Sequence, residues 1–292
     1  MDSRSGAPVA EPRPVSSSAQ RTRGDAGRRP DDPAATRAAE PSALEVSVGH
    51  AFGELAVIGR LELRAASGQV VGLVGPSGCG KTTLLELVAG LRAPSRGSIA
   101  IGAATEAAER LARCAYMPQR DLLLPWRRAR ANAALGAEIS GLGRAEARRR
   151  ADALFERFGL AGFERAWPSQ LSGGMRQRLA LLRTFLMPSQ TLLLDEPFGA
   201  LDAFTRREMH GWLQDVWRRD GRTVMLVTHD VEEALVLADV VFVFSRRPGH
   251  VVRRIEVALE RPRTTTDTTS PRFVALKAEL LTALEAQPAT TA

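Results

Sequence analysis

Val70-Val71-Gly72-Leu73-Val74 runs directly into Gly75-Pro76-Ser77-Gly78-Cys79-Gly80-Lys81-Thr82-Thr83. The apolar run reads as a strand buried on both faces, and the glycine-rich turn after it matches the phosphate-loop pattern G-x-x-x-x-G-K-[ST]. The glycines let the backbone curl so that successive N–H groups face inward and cradle phosphate oxygens. A helix expected over 81–90 adds the partial positive charge of its N-terminus. Lys81 would reach the β- and γ-phosphates, and the Thr82 hydroxyl would coordinate Mg²⁺. Gly75, Ser77, Gly78, Cys79, Gly80, Lys81, Thr82 and Thr83 are therefore the candidate phosphate contacts.

Outward from this stretch, alternating segments near 44–49 and 59–66 predict antiparallel strands. Apolar strands are expected near 97–101, 113–117, 191–195, 223–227 and 240–244, with helices between several of them. Such alternation implies a parallel sheet covered on both faces. Between Gln119 and about Leu186 the Ala/Leu/Arg/Glu periodicity is helical throughout, which predicts a helical subdomain over about 120–186. Val251 to Ala258 alternates like a further strand, and Phe273 to Ala286 reads as an amphipathic terminal helix. Residues 1–42 hold almost no large apolar groups and predict a disordered tail. The expected division is a tail over 1–42, a catalytic domain over 43–260, and a linker and helix over 261–292.

Composition narrows the setting. The net charge is +7, but only Lys81 and Lys277 are lysines. Arginine beside abundant alanine reads as a compositional bias rather than as a nucleic-acid footprint. No run of 18 apolar residues is present, so no membrane-spanning helix is expected, and work at a membrane would need another subunit to cross it. Cys79 and Cys114 have no metal-site spacing and form no disulfide framework. The position of Cys79 inside the phosphate loop argues for a reduced, cytosolic compartment.

Thr191-Leu192-Leu193-Leu194-Asp195-Glu196 reads as a buried strand ending in two carboxylates. Asp195 is placed to bind Mg²⁺, directly or through water. Glu196 would address an attacking water, because side chains alternate across an extended chain. Further upstream, Leu171-Ser172-Gly173-Gly174-Met175-Arg176-Gln177-Arg178 places an N-cap serine before a helix opening on two glycines. A helix interior disfavours each glycine by about 1 kcal/mol. Free amides at Gly173 and Gly174 with Ser172 make an anion site that offsets this cost.

These motifs together resemble the ATP-binding cassette ATPases, with which the chain is similar in motif order over about 44–260. The resemblance implies an α/β fold: a P-loop NTPase core with a mixed sheet, N-terminal antiparallel strands and a helical subdomain carrying the signature Leu171–Gly174. It implies further roles. His229, in Thr228-His229-Asp230, resembles the switch histidine that contacts the γ-phosphate. Gln119 resembles the Q-loop glutamine that senses Mg²⁺ and water. Leu201-Asp202 resembles the D-loop that crosses a dimer interface. Phe52 aligns with the aromatic that stacks on adenine, although a core or surface Phe is nearly as good a reading. Catalytic candidates are then Glu196, His229 and Lys81; metal candidates are Thr82, Gln119 and Asp195.

The family's signature closes over nucleotide held by another subunit, so the implied unit is a dimer, with a homodimer the more economical form. Leu122-Leu123-Leu124-Pro125-Trp126 and Arg247-Pro248-Gly249-His250-Val251 resemble the nitrate/sulfonate/taurine importer group, and thiamine-precursor importers share much of this pattern. Ala131 before Asn132 departs from it, since an acidic residue is common there. The implied partners are a second ATPase chain, a transmembrane permease and, indirectly, an extracytoplasmic solute-binding protein, with the chain peripheral on the cytoplasmic face of a bacterial membrane. The implied cofactors are ATP and Mg²⁺. A soluble cassette ATPase acting on nucleic acid or ribosomes is the rival reading; the twin cassettes, coiled-coil insertion or zinc-binding cysteines typical of that class are not found here.

Overall fold

The computed structural model describes residues 42–264 and 266–286, so the tail expected over 1–42 lies outside it apart from the backbone of Ser42. The strands are β1 (Ser42–Phe52), β2 (Leu55–Ala66), β3 (Val70–Val74), β4 (Arg96–Ile101), β5 (Cys114–Met117), β6 (Thr191–Asp195), β7 (Thr223–Val227), β8 (Val240–Phe244) and β9 (Val251–Glu256). The helices are α1 (Lys81–Val88), α2 (Ala107–Arg113), α3 (Ala129–Ala133), α4 (Leu135–Ile139), α5 (Arg144–Phe155), α6 (Gly173–Phe185), α7 (Ala203–Asp220), α8 (Val231–Leu237) and α9 (Pro271–Glu285). One antiparallel sheet has the order β2-β1-β4, and a second has the order β5-β6-β7-β3-β8-β9. In the second sheet β5, β6, β7, β3 and β8 run parallel while β9 pairs antiparallel with β8, which makes it the mixed sheet expected.

The period of two sorts the apolar side chains between the sheet's two faces. Leu192 and Leu194 join a core with Leu179, Leu182, Leu213 and Phe273, on the side of α6, α7 and α9. Leu193 joins the opposite core with Leu84, Leu85, Leu61 and Val46, which packs α1 and the antiparallel sheet. Every residue of β3, β6, β7 and β8 is buried, as a strand covered on both faces requires.

Boundaries moved for local reasons. The first hairpin extends past its alternating portion to pair Phe52 with Leu55. Helix α1 stops at Val88, short of the expected 90, where Gly90 turns left-handed (φ 80°) and Leu91 N–H returns to Glu86 O. Helix α9 starts two residues early because Ser270 caps it and Pro271 occupies its first turn. From Gln119 to Leu186 the chain forms α3 to α6 and no strand. Among the described residues no helix is long and apolar enough to cross a membrane.

Residues past 260 continue the same core. Arg263 is buried, and its guanidinium donates to the carbonyls of Leu235 (2.7 Å), Ala238 (2.6 Å), Val257 (2.9 Å) and Leu259 (3.1 Å). Gln214 receives the Arg263 N–H at 2.7 Å and donates to its carbonyl at 2.9 Å. One arginine therefore satisfies the last carbonyls of α8 and holds the segment that leads to α9. Arg263→Met leaves those acceptors unpaired in the interior, and should lower unfolding free energy by about 2–4 kcal/mol in denaturant titration. A loss below about 0.5 kcal/mol would show that water replaces the guanidinium.

Candidate functional site

The phosphate loop begins where β3 leaves the sheet. Gly80 has φ 107°, and a Cβ there would lie 3.2 Å from both Ile58 and Val57, so the turn requires glycine on two counts. No side chain caps α1, which leaves its first amides available to a ligand. Lys81 is buried, with Nζ donating to Gly75 O (2.8 Å) and Pro76 O (3.0 Å). The ammonium is thus held across the mouth of its own loop. Ser77 and Gly78 are exposed, Cys79 is buried, Thr82 is exposed and Thr83 is half-buried.

Asp195 ends β6 with 1 % exposure. Burial pushes its carboxyl up from the ordinary carboxylate range; the Thr82 hydroxyl hydrogen bond and the Lys81 charge oppose this, while Glu196 and Glu86 add to it. Its Oδ2 is buried and has no hydrogen-bond partner. An orphaned, desolvated carboxylate oxygen beside a threonine hydroxyl is the hard-oxygen donor set that suits Mg²⁺. The residues present therefore fit the ion, and Thr82 and Asp195 are the candidates to hold it.

Glu196 lies past the end of the extended strand. Its backbone is left-handed, φ 49°, a conformation uncommon for a side chain of this kind, and its N–H donates to Val227 O at 2.9 Å. The turn brings the carboxylate to two other predicted residues. Gln119 Nε2 donates to Glu196 Oε2 at 3.1 Å, and His229 Nδ1 stands 3.5 Å from the same oxygen. Three residues from distant parts of the chain thus meet at one carboxylate oxygen.

The signature lies at the start of α6. Ser172 Oγ accepts from Met175 N–H at 3.2 Å, the expected cap. A Cβ on Gly174 would lie 3.1 Å from Ala200 O, so part of its need for glycine comes from packing within the chain; Gly173 has no such neighbour. That close approach brings in a residue to which the sequence pattern assigns no role. Gln177, buried one turn along α6, donates Nε2 to Glu196 O and accepts from Ala200 N–H, both at 2.6 Å. It staples both ends of the turn that carries Glu196. The one signal in the sequence is its spacing of three from Gly174, which puts both on one helix face.

Arg176 and Arg183, also on α6, bind the loop after Gln119. Arg176 Nε pairs with Asp121 Oδ2 at 3.0 Å, and Arg183 donates to the carbonyls of Leu122 (2.9 Å) and Asp121 (2.7 Å). Asp202 caps α7 by accepting from Phe204 and Thr205 N–H; the Thr205 hydrogen bonds hold its carboxyl below the usual range. Phe52 is 43 % exposed, with the Arg92 guanidinium 5.1 Å over its ring and His50 edge-on at 4.8 Å. Along the same hairpin, Leu55 and Ala56 line a cavity with Pro76, Ser77 and Gly78 of the phosphate loop.

The family model described as "ABC transporter" matches residues 58–199. The formylaminopyrimidine import ATP-binding protein ThiZ of Halalkalibacterium halodurans is 42% identical over 226 residues, 77% of this chain and 88% of that protein. The taurine import ATP-binding protein TauB of Yersinia pestis is 46% identical over 200 residues, 68% and 77% of the two chains. The aliphatic sulfonates import ATP-binding protein SsuB 2 of Pseudomonas aeruginosa is 45% identical over 248 residues, 85% and 86%. Among solved structures, the dimeric ATP-binding cassette MJ0796 bound to ADP and Pi superposes with a TM-score of 0.67 at 26% identity, covering 74% of this chain and all of that one. Identity of this order over most of the length of such relatives, joined to the phosphate loop and the acidic strand end, places the chain in the ATP-binding proteins of the ABC transporter family.

Proposed function

We propose that this chain is the ATP-hydrolysing subunit of an importer for a small solute, resembling the taurine, sulfonate or thiamine-precursor systems, and that it works as a dimer on a separate permease. As a member of its family it is an ATP hydrolase coupled to transport. The observation that carries the mechanistic reading is the meeting of Gln119 and His229 on Glu196 Oε2, beside the orphaned oxygen of Asp195. Relatives with import in their names support the direction of transport, and the dimeric cassette neighbour supports pairing.

The residues divide the work. Lys81 and the loop amides bind and neutralise the phosphates of ATP. Thr82 and Asp195, with Gln119, would hold Mg²⁺, which would neutralise phosphate charge and aid in-line displacement. Glu196 accepts a proton from the attacking water, and Gln119 and His229 fix its orientation through Oε2. Ser172, Gly173 and Gly174 present amides to the nucleotide of the opposite chain, where they stabilise transferred charge. Closure reaches the permease through the helices after Gln119. Trp126, 71 % exposed, is the contact proposed there, as part of a basic surface with Arg127, Arg128 and Arg144.

Glu196→Gln should lower kcat by about 10²-fold or more while leaving an ATP-dependent dimer visible by size-exclusion chromatography. Turnover at the wild-type rate would remove Glu196 from the role of base. Ser172→Arg should keep ATP binding to single chains but abolish both the dimer and hydrolysis. Ser172→Ala is its control, since loss of the cap alone costs only about 1 kcal/mol of helix stability; an ATP-dependent dimer persisting in Ser172→Arg would refute the trans arrangement.

Asp195 gives a test with a pH sign. Its folded pKa lies above the unfolded one, so its contribution favours the fold at low pH and is lost as pH rises through the folded value. Without nucleotide, Asp195→Asn should therefore raise stability at pH 7 by about 1 kcal/mol, or about 2–4 °C in Tm. It should also abolish the extra stabilisation that Mg²⁺ adds to ADP in the wild-type chain. An equal Mg²⁺ increment in both proteins would disprove the metal assignment.

A further inference from the structure

Arg247-Pro248-Gly249-His250-Val251 stands in the sequence as a subgroup marker without a chemical role. In the fold these residues leave β8 and enter β9, and their turn grips the phosphate loop from outside. The turn is tied by buried Ser245: its N–H donates to His250 O at 2.9 Å, and its Oγ accepts from His250 N–H at 3.0 Å and donates to Arg246 O at 2.7 Å. Gly249 joins this turn to the antiparallel sheet, donating to Val57 O (2.8 Å) and accepting from Gly59 N–H (2.9 Å). On its other side the phosphate loop comes so near that a Cβ at Gly249 would lie 2.1 Å from Cys79 O. No side chain fits between the two.

Across that contact Arg247 reaches the loop itself. Its Nε and Nη2 both donate to Gly78 O, at 3.1 Å and 2.8 Å. The Gly78 carbonyl belongs to the same peptide unit as the Cys79 N–H. In a phosphate loop the amides turn toward the ligand, so the carbonyls behind them are open to other donors. Here the Cys79 N–H makes only a long hydrogen bond, 3.4 Å, to Pro76 O, which a phosphate oxygen would replace. A guanidinium on such an oxygen polarises the peptide and makes its N–H a stronger donor. It also fixes the peptide plane and sets a full positive charge behind the anion site.

We propose that Arg247 is a positioning residue of the nucleotide site, orienting and polarising the Gly78–Cys79 peptide toward phosphate, and that Gly249 permits the approach. This rests on the nucleotide-binding reading of the loop and extends it to a residue outside the recognised motifs. Because loop amides grip the phosphates common to ADP and ATP, both ligands feel the effect, unlike the action of Glu196 or His229 on the terminal phosphate.

The test is calorimetric titration of the full chain with ADP and with ATP, together with steady-state kinetics. Arg247→Ala should weaken both nucleotides by about fivefold, with KM rising more than kcat falls. Arg247→Lys keeps the charge without the fork and should recover part of the loss. Arg247 is exposed, so Tm should move by no more than about 2 °C. Gly249→Ala should weaken ADP at least as much, because its Cβ displaces Cys79. Wild-type ADP affinity in either alanine variant, a loss confined to ATP, or no rescue by lysine would overturn the assignment. Failure of the wild-type chain to bind either nucleotide would instead overturn the nucleotide-site reading, and this inference with it.

Discussion

Parallel register at the carboxyl ends of three adjacent strands is the constraint on which the chemistry depends. Val227 of β7 pairs with Leu73 of β3 on one side and with Asp195 of β6 on the other. The three strands therefore end level, and the chain leaves each at the same edge. From β3 comes the phosphate loop, from β6 the two carboxylates, and from β7 the Thr228-His229-Asp230 turn. Glu196 N–H on Val227 O and Thr228 N–H on Leu73 O carry the ladder one residue past the strands. A slip of one residue in β6 would send Asp195 to the opposite face and leave Thr82 without its carboxylate.

Around that edge the structure tolerates local costs. Asp195 is desolvated with one oxygen unpaired, Glu196 sits in a left-handed turn, and α1 begins without a side-chain cap. Each is unfavourable in the empty chain, and the first and third are relieved by a cation and an anion respectively. Two buried polar clusters of the scaffold are by contrast well matched: Arg263 and Gln214 satisfy each other and the end of α8, and Asn132 bonds the Leu124 N–H and the Leu124 and Arg127 carbonyls.

Much of this was legible in the chain because it rests on local rules. The buried runs at Val70–Val74 and Thr191–Asp195, the glycine-rich turn and the cap at Ser172 each declare themselves within a few residues. Less legible were contacts made between distant segments. Gln177 carries no role in the sequence reading, and its partners Glu196 O and Ala200 N–H lie 19 and 23 residues away. Arg247 lies 169 residues from Gly78 and no local pattern links them. Arg263 reads as part of a polar linker until its carbonyl partners are seen. At Glu196 the backbone is already left-handed, so the alternation of an extended chain does not set where its carboxylate points.

Gln177 has a consequence for how two nucleotide sites communicate. Its amide spans Glu196 O and Ala200 N–H with two short hydrogen bonds, while its helix opens with the signature amides. The element that would touch nucleotide on an opposing chain is thus the same rigid rod that grips the turn bearing the carboxylate in its own chain. A few degrees of rotation of that rod would be felt at both places without any relay between them. In the dimer proposed above, occupancy at one phosphate site and reactivity at the other would be two ends of a single lever.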